Sequence, residues 1–358
     1  MEHFFSAESC APYGDGNGGR RSVDRHRYIL IVSLLLVTIL LAAGCTARQQ
    51  PAITIEEFPV CVDGARQGSP AISGNIIVWV DERSGDSDIY GYNMATRTEF
   101  PVCVAPGEQR DPRVSGDTIV WQDRRNGNWD IYGYDLVTMT EFPVCTREDA
   151  QVAPRVSGNL VLWLDGRTEK IASSGYNLEA GRRFPVSIPE HPPRQPFELS
   201  GKVIVWSYQG GIYGDIYGYN LESGTEFPIA TGGYKDFVSI GGNTVVWLDS
   251  SPTLPLWEEP SKGDLVAYNL TTGEEYRLPR TFAYIFDPVV SGELVVWSDD
   301  RNDDRDIYGY DLVAEVEFPV CVREGRQTNP AVDGDIVVWV DDRNGNRDIY
   351  GAKISVKS

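Results

Sequence analysis

The sequence predicts an all-β protein, a single seven-bladed β-propeller with four-stranded blades, and three observations carry this prediction. A tryptophan recurs in the same context, spaced 41 to 50 residues apart, at Trp79, Trp121, Trp163, Trp206, Trp247, Trp297 and Trp339. Each repeat contains four short segments of β type, separated by turn residues. The two ends of the chain supply complementary parts of one repeat. A period of about 40 to 45 residues with four strands is that of a propeller blade.

The four segments of a repeat follow one another in a fixed order. The first reads Pro-x-Val-Ser, and the second places consecutive apolar residues before Trp-x-Asp, which is typical of a strand buried on both faces. The third reads Asp-Ile-Tyr-Gly-Tyr and the fourth Glu-Phe-Pro-Val. Ser-Gly, Asn-Gly and Thr-Gly pairs between them favour tight turns. Each repeat is therefore predicted to form one antiparallel sheet, with its tryptophan buried against the next blade.

The ends of the repeat region predict a closed ring. The last repeat stops after the third segment, and residues 53–62 form a fourth segment with no preceding three. Pairing these two fragments removes both unpaired strand edges, so we expect the N-terminal strand to complete the C-terminal blade. The predicted propeller spans residues 53–358, with blades at about 63–104, 105–146, 147–188, 189–230, 231–279, 280–322, and 323–358 plus 53–62.

Residues 1–44 have the parts of a secretory signal. Four arginines between Arg20 and Arg27 precede an apolar run over 28–43, which is shorter than a comfortable membrane span. The sequence Leu41-Ala42-Ala43-Gly44-Cys45 resembles the lipobox of bacterial and some archaeal lipoproteins, which implies cleavage before Cys45 and a lipid on its sulfur. An uncleaved signal anchor is the alternative. Residues 45–52 would form a tether, and the domain would be exported to the outer side of the cytoplasmic membrane, the periplasm or the cell surface.

Charge and rare residues narrow the choice of partners and chemistry. The net charge of −20 opposes binding to phosphate backbones, so nucleic acid is excluded as a partner. His191 is the single histidine after the leader, so a histidine-based metal cluster is not expected, nor is any cofactor. The cysteines of the Phe-Pro-Val-Cys segments fall in the same slot of different blades, which predicts buried thiols rather than disulfides.

The repeat Trp-x-Asp-x-Arg-x-Gly-x-x-Asp-Ile-Tyr is similar to the TolB-type propeller repeat of bacterial and archaeal cell-surface proteins. Trp79-Val80-Asp81-Glu82-Arg83-Ser84-Gly85-Asp86-Ser87-Asp88-Ile89-Tyr90 carries this resemblance, which covers nearly everything after Ala52. It implies the propeller fold and says little of function. TolB itself adds an N-terminal domain for which residues before Ile53 leave no room, so a role in the Tol system is not expected.

Three sets of residues are candidates for sites. Carboxylates spaced with an arginine in the turn after the second strand could suggest calcium, but the arginine opposes a cation, and turn-fixing ion pairs are the favoured interpretation. These residues are Asp81, Arg83, Asp88, Asp123, Arg125, Asp130, Asp299, Arg301, Asp306, Asp341, Arg343 and Asp348. The glutamines of Gln-x-x-Pro are predicted to lie at the channel mouth as a candidate binding surface, where they either hydrogen-bond a polar ligand or, as the favoured interpretation, satisfy loop backbone: Gln67, Gln109, Gln151 and Gln327. An insertion in blade five carries Leu254, Leu256 and Trp257, a candidate apolar binding projection.

These features favour a non-enzymatic cell-surface binding or scaffolding module that recognises a protein or envelope glycan through its loop face. Two alternatives stay open. One is a carbohydrate-active enzyme, a lyase or glycosidase using carboxylates, since acids are plentiful although no Gly-x-Ser-x-Gly motif occurs. The other is a structural component of a surface layer.

Overall fold

A computed structural model describes residues 51–357, except 167–169, 172–173, 189–190, 192–196, 210–213 and 251–262. All regular structure in these residues is β, and it forms seven antiparallel sheets. Among the described residues there is no helix with the length and apolarity that a membrane crossing requires. The predicted all-β fold class is confirmed.

The first three blades follow one another along the chain. Blade one contains β2 (Gln67–Ser73), β3 (Ile76–Asp81), β4 (Asp88–Asn93) and β5 (Thr98–Cys103). Blade two contains β6 (Gln109–Ser115), β7 (Thr118–Asp123), β8 (Asp130–Asp135) and β9 (Thr140–Cys145). Blade three contains β10 (Gln151–Ser157), β11 (Leu160–Asp165), the short β12 (Lys170–Ile171), β13 (Ser174–Asn177) and β14 (Arg182–Pro185).

The next three blades repeat the same order from the innermost to the outermost strand. Blade four contains β15 (Glu198–Ser200), β16 (Val203–Gln209), β17 (Gly214–Asn220) and β18 (Thr225–Ala230). Blade five contains β19 (Tyr234–Gly241), β20 (Thr244–Ser250), β21 (Asp264–Asn269) and β22 (Glu275–Arg277). Blade six contains β23 (Ile285–Ser291), β24 (Leu294–Asn302), β25 (Asp304–Asp311) and β26 (Val316–Cys321).

Blade seven joins the two ends of the propeller. It contains β27 (Gln327–Asp333), β28 (Ile336–Asp341), β29 (Asp348–Lys357) and, as its outermost strand, β1 (Ala52–Cys61). β1 pairs antiparallel with β29 from Ala52 opposite Lys357 to Cys61 opposite Ile349. The innermost strands contact one another in blade order, and β27 contacts β2. The predicted closure by the N-terminal strand is therefore confirmed.

The core lies between blades rather than within any one sheet. The seven repeat tryptophans are 0–2% exposed. Trp121 of blade two, for example, packs in one cluster with Val78 and Ile89 of blade one. The four described cysteines are free and buried, one in each of β1, β5, β9 and β26. Since each interface needs both of its blades, the stability of a blade depends on its neighbours.

Candidate active site

A β-bulge repeated around the axis gives the innermost strands their shape. The register with the second strand shifts at the same point in blades one, two, three, five, six and seven. A non-glycine residue with φ near +50° lies in each bulge: Ser69, Asp111, Ala153, Phe237, Asp287 and Asn329. The bulge bends the strand and changes where its side chains point. All six of these residues except Ala153 line one cavity on the axis.

The axial cavity has a volume of about 660 Å³ and is lined by two kinds of side chain. The apolar lining includes one aliphatic residue from each blade: Ile72, Val114, Val156, Leu199, Ile240, Val290 and Val332. The charged lining consists of two arginines and four carboxyl groups: Arg113, Arg155, Asp111, Glu198, Asp236 and Asp287. A concave site with few polar groups over an apolar lining is typical of small-molecule binding.

Blades two, three and four share an arginine–carboxylate cluster in this cavity. Arg155 bonds to both oxygens of Glu198, at 3.0 Å through Nε and 2.9 Å through Nη2. Its Nη1 lies 3.4 Å from Asp111, which also pairs with Arg113 at 2.8 Å. The Arg155 side chain is 7% exposed, but that of Arg113 is 28% exposed. Burial, followed by the neighbouring charge of Arg155, lowers the pKa of the Arg113 guanidinium.

Blades five and six place Asp236, Phe237 and Asp287 on the other side of the ring. Burial raises the pKa of the Asp287 carboxyl, although the nearby guanidinium of Arg305 acts in the opposite direction. A carboxyl of raised pKa holds its proton at higher pH and can donate it. The cavity therefore combines a carboxyl group of raised pKa with the guanidinium groups of Arg113 and Arg155.

The predicted turn residues form a repeated ion-pair unit outside the cavity. Asp81 is fully buried and accepts hydrogen bonds from Trp79 Nε1 at 2.9 Å and from Arg83 Nη2 at 2.7 Å. Arg83 also bonds to Glu99 at 2.5 Å and to Cys61 Sγ at 3.1 Å. The same arginine–aspartate pair occurs at Arg125–Asp123, Arg301–Asp299 and Arg343–Asp341. Arginine thus occupies the position that a cation would need.

The second carboxylate of each turn bonds to the turn itself. Asn126 donates to Asp130 at 2.8 Å, Asn302 to Asp306 at 2.8 Å and Asn344 to Asp348 at 2.7 Å, and Ser84 donates to Asp88. Burial raises the pKa of all four carboxyls. Within the described ranges, no three histidine, cysteine or acidic residues are grouped closely enough to hold a metal ion.

The four glutamines bind loop backbone. They are 0–2% exposed. Gln67 Nε2 donates to the carbonyl of Ala65 at 3.0 Å, Gln109 to Gly107 at 3.0 Å and Gln327 to Gly325 at 3.2 Å, and Gln151 donates to Asp149. None of the four lines the axial cavity.

His191 lies in blade four and takes the role that arginine has elsewhere. Its ring stacks on Tyr217 with centroids 4.1 Å apart, and its Nδ1 is 2.6 Å from Glu226. In blade one, Arg83 stacks on Tyr90 at 4.3 Å and pairs with Glu99 in the same way. His191 does not line the axial cavity. The predicted lipidation site Cys45 and the projection residues Leu254, Leu256 and Trp257 lie outside the described residues.

Sequence reasoning missed the cavity residues, although a signal for them existed. Arg113 and Arg155 occupy the variable position of Pro-x-Val-Ser, and Glu198 is their counterpart in blade four. Asp111 and Asp287 precede the proline of the same segment. The first segment of each repeat forms the innermost strand, which surrounds the axis. Charged residues at the variable position of Pro-x-Val-Ser, or just before its proline, therefore identify the polar residues of the cavity.

Solved structures match this chain in fold. The oligogalacturonate lyase of Vibrio parahaemolyticus is 12% identical, with a TM-score of 0.61, over 85% of this chain and 98% of that chain. The acylaminoacyl peptidase of Pyrococcus horikoshii is 12% identical, with a TM-score of 0.60, over 77% of this chain and 49% of that chain, so the match spans about half of the peptidase. TolB of Acinetobacter baumannii is 16% identical, with a TM-score of 0.51, over 74% of this chain and 68% of that chain.

No family model matches the sequence. No curated protein matches it either. The preference for a non-enzymatic binding or scaffolding module is wrong, because two of the solved structures that share this fold are enzymes, a lyase and a peptidase, and the lyase favours the carbohydrate-active alternative. Because these solved structures are only 12–16% identical to this chain, the similarity shows a shared fold and nothing more. The expected resemblance is confirmed at the level of the fold: the chain is a seven-bladed β-propeller, and its fold is similar to that of TolB.

Proposed function

We propose that this chain is a carbohydrate-active enzyme, a lyase that cleaves a uronate-containing oligosaccharide in the axial cavity. The observation that carries the proposal is the pairing, in one cavity, of the Arg113–Arg155 cluster with Asp287, whose pKa is raised by burial. The similar oligogalacturonate lyase supports it, because the match covers 98% of that enzyme. The peptidase does not support a lyase, because it is an enzyme of a different class and the match covers 49% of its chain.

Each group has a role in a β-elimination. The guanidinium of Arg113 binds the uronate carboxylate, and the resulting charge neutralisation makes the adjacent C–H proton more acidic. Asp236 accepts that proton, the electron pair forms the new carbon–carbon double bond, and the C–O bond at the next carbon breaks. Asp287 gives its proton to the leaving glycosidic oxygen. Glu198 and Asp111 hold Arg155 and Arg113 in place.

The proposal is tested with oligosaccharides of galacturonate, glucuronate and mannuronate as substrates. We expect an unsaturated product, seen by its ultraviolet absorbance, with one of the three. Arg113→Gln and Asp287→Asn each reduce the rate about 100-fold or more. Arg110→Gln is the matched control, because Arg110 is 52% exposed and does not line the cavity. Since Asp287 acts in its protonated form, the rate falls as the pH rises through its raised pKa.

Absence of unsaturated product from all three substrates would refute the lyase. New reducing ends without ultraviolet absorbance would instead indicate hydrolysis by the carboxyl groups, which is the glycosidase alternative. Equal activity of wild type and Asp287→Asn would remove Asp287 from the mechanism.

We also propose that the enzyme is exported and anchored through a lipid on Cys45. The basic, apolar and small-residue segments before Cys45 support this proposal. Mass spectrometry of the mature protein should find Cys45 at its N-terminus with a lipid mass. An intact leader on the membrane-bound protein would favour the signal anchor instead.

A further inference from the structure

Phe237 is unlike the other residues at the bulge of the innermost strands. Its counterparts in the described blades are Ser69, Asp111, Ala153, Asp287 and Asn329, which are small or short and polar. All of them have φ near +50°, a conformation that disfavours bulky side chains and that aspartate and asparagine tolerate better. A phenylalanine is the least suited of the six to this backbone, so it carries a conformational cost that fold formation does not require.

The ring of Phe237 is also poorly buried. It is 38% exposed and lines the axial cavity, whereas the repeat tryptophans are 0–2% exposed. An aromatic ring left open to a polar cavity contributes less to the core than a buried one. The strained backbone of Phe237 is not offset by full burial of its side chain, which indicates that this residue has a role other than stabilising the fold.

The neighbours of Phe237 fit a sugar ring. Asp236 precedes it on the same strand, and its Oδ1 accepts the backbone N–H of Phe237 at 2.9 Å, which fixes the bulge. Asp287 lies at the corresponding bulge of the adjacent blade. Arg113 lies on blade two, on the other side of the seven-membered ring of innermost strands. A flat apolar side chain thus lines the same cavity as both carboxyl groups and the two arginines.

We propose that Phe237 is a stacking platform for a pyranose ring, a binding subsite that orients a uronate with its carboxylate toward Arg113. This proposal rests on the proposed function for the class of its ligand. The apolar C–H face of the sugar covers the Phe237 ring, and the polar groups of the same sugar reach Asp236 and Asp287. Phe237 is a positioning residue, because it transfers no proton.

The test measures binding of trigalacturonate to the full chain by titration calorimetry. Phe237→Asn introduces the residue that blade seven has at this position, Asn329, so the backbone conformation is retained. We expect about tenfold weaker binding, from the loss of the stacked ring. The melting temperature should not fall, because Asn relieves the left-handed strain. Phe237→Trp should bind as well as wild type or better.

Phe282→Asn is the matched control. Phe282 also has a positive φ, of 59°, and is 81% exposed, but it does not line the cavity. We expect the Phe282→Asn variant to bind trigalacturonate with the affinity of the wild type. The proposal would be overturned if Phe237→Asn and Phe282→Asn weakened binding equally, or if Phe237→Asn left binding unchanged. Weak binding by Phe237→Trp, or no binding by the wild type, would also overturn it.

Failure of the proposed function gives a different result. If the wild type binds trigalacturonate through Phe237 but forms no unsaturated product from galacturonate, glucuronate or mannuronate oligosaccharides, the subsite stands and the lyase reaction is refuted. If product forms and Phe237→Asn changes neither affinity nor KM, the lyase stands and the platform is refuted.

Discussion

Asp81 shows how a fully buried carboxylate is kept charged in this fold. Burial on its own would raise the pKa of Asp81, but hydrogen bonds from Arg83 and Trp79 outweigh it, so the pKa lies below its ordinary value of 3.8. The charged form is therefore favoured by folding. This stabilisation is present above pH 3.8 and is lost as the pH falls through the lower pKa of the folded state.

We expect Arg83→Met to lower the free energy of unfolding by about 3 kcal/mol, because it leaves Asp81 buried without its counter-charge. Urea denaturation at neutral pH measures the change. Arg110→Met is the control, since Arg110 is 52% exposed and pairs with Glu108 at 3.1 Å. The free energy of unfolding of Arg110→Met should fall by less than about 1 kcal/mol. Similar losses in the two variants would show that the Arg83 pair is no stronger than a surface pair.

The cysteine beside Arg83 belongs to the same interface. Burial raises the pKa of Cys61 and Cys321 to about 12, despite the nearby guanidinium groups of Arg83 and Arg343. Both sulfurs are therefore thiols at neutral pH and contribute as small buried groups. The arginine of one blade reaches the outermost strand of the preceding blade through this contact.

The sequence could predict the Asp81–Arg83 pair but not the partners that complete it. Asp81 and Arg83 are two residues apart in one turn, so the local geometry of the turn is enough to bring them together. The contact of Arg83 with Cys61 spans 22 residues and follows from the packing of two blades, and its contact with Glu99 spans 16 residues and follows from the folding of blade one. The same limit applies to Arg155, which bonds to Glu198 at 43 residues' separation. Local patterns do not encode such distances.

The glycine of the third strand and the phenylalanine of the fourth form a structural pair. A Cβ on Gly133 would lie 2.5 Å from Cζ of Phe142, and one on Gly91 would lie 2.5 Å from Cζ of Phe100. Gly133 is directly opposite Phe142 in the register of β8 and β9. The ring covers the glycine backbone across the strand pair, which is the arrangement known as aromatic rescue. This pairing explains why Tyr-Gly-Tyr and Glu-Phe-Pro recur together.

We expect Gly133→Ala to lower the free energy of unfolding by about 1–3 kcal/mol, because the added methyl group displaces the Phe142 ring. Thermal or urea denaturation measures the change. Gly68→Ala serves as the control, since no atom lies within 4 Å of a Cβ built on Gly68 and its φ is not positive. Its stability should be unchanged within about 0.5 kcal/mol. A stable Gly133→Ala variant would show that Phe142 can move aside at little cost.

The repeat period could predict the number of blades and their closure, because these depend on counting segments. The repeat period could not predict the chemistry of the axial cavity. That chemistry depends on the residues that depart from the repeat pattern and on the blades in which they occur. The repeated blades place seven innermost strands around one axis, and the exceptions Arg113, Arg155, Glu198 and Phe237 therefore line one cavity. The fold follows from the regular residues, and the proposed activity depends on the irregular ones.

Closure of the ring gives the last prediction, because one strand holds the two ends of the propeller together. Ile53 and Ile55 of β1 pack against the cluster that contains Trp339 and Ile354 of blade seven. Glu57 of β1 also pairs with Arg343. A chain without residues 52–62 leaves the edge of β29 unpaired, and unpaired edges recruit other chains.

We therefore expect the shortened chain to melt at a lower temperature and to self-associate in size-exclusion chromatography. A synthetic peptide of residues 52–62 should restore both the monomer and the melting temperature. The same peptide with Ile53→Asp and Ile55→Asp should not, because it keeps the backbone donors but loses the apolar contacts. Rescue by both peptides would show that strand pairing alone closes the ring, and a stable monomer without any peptide would show that the other interblade contacts suffice.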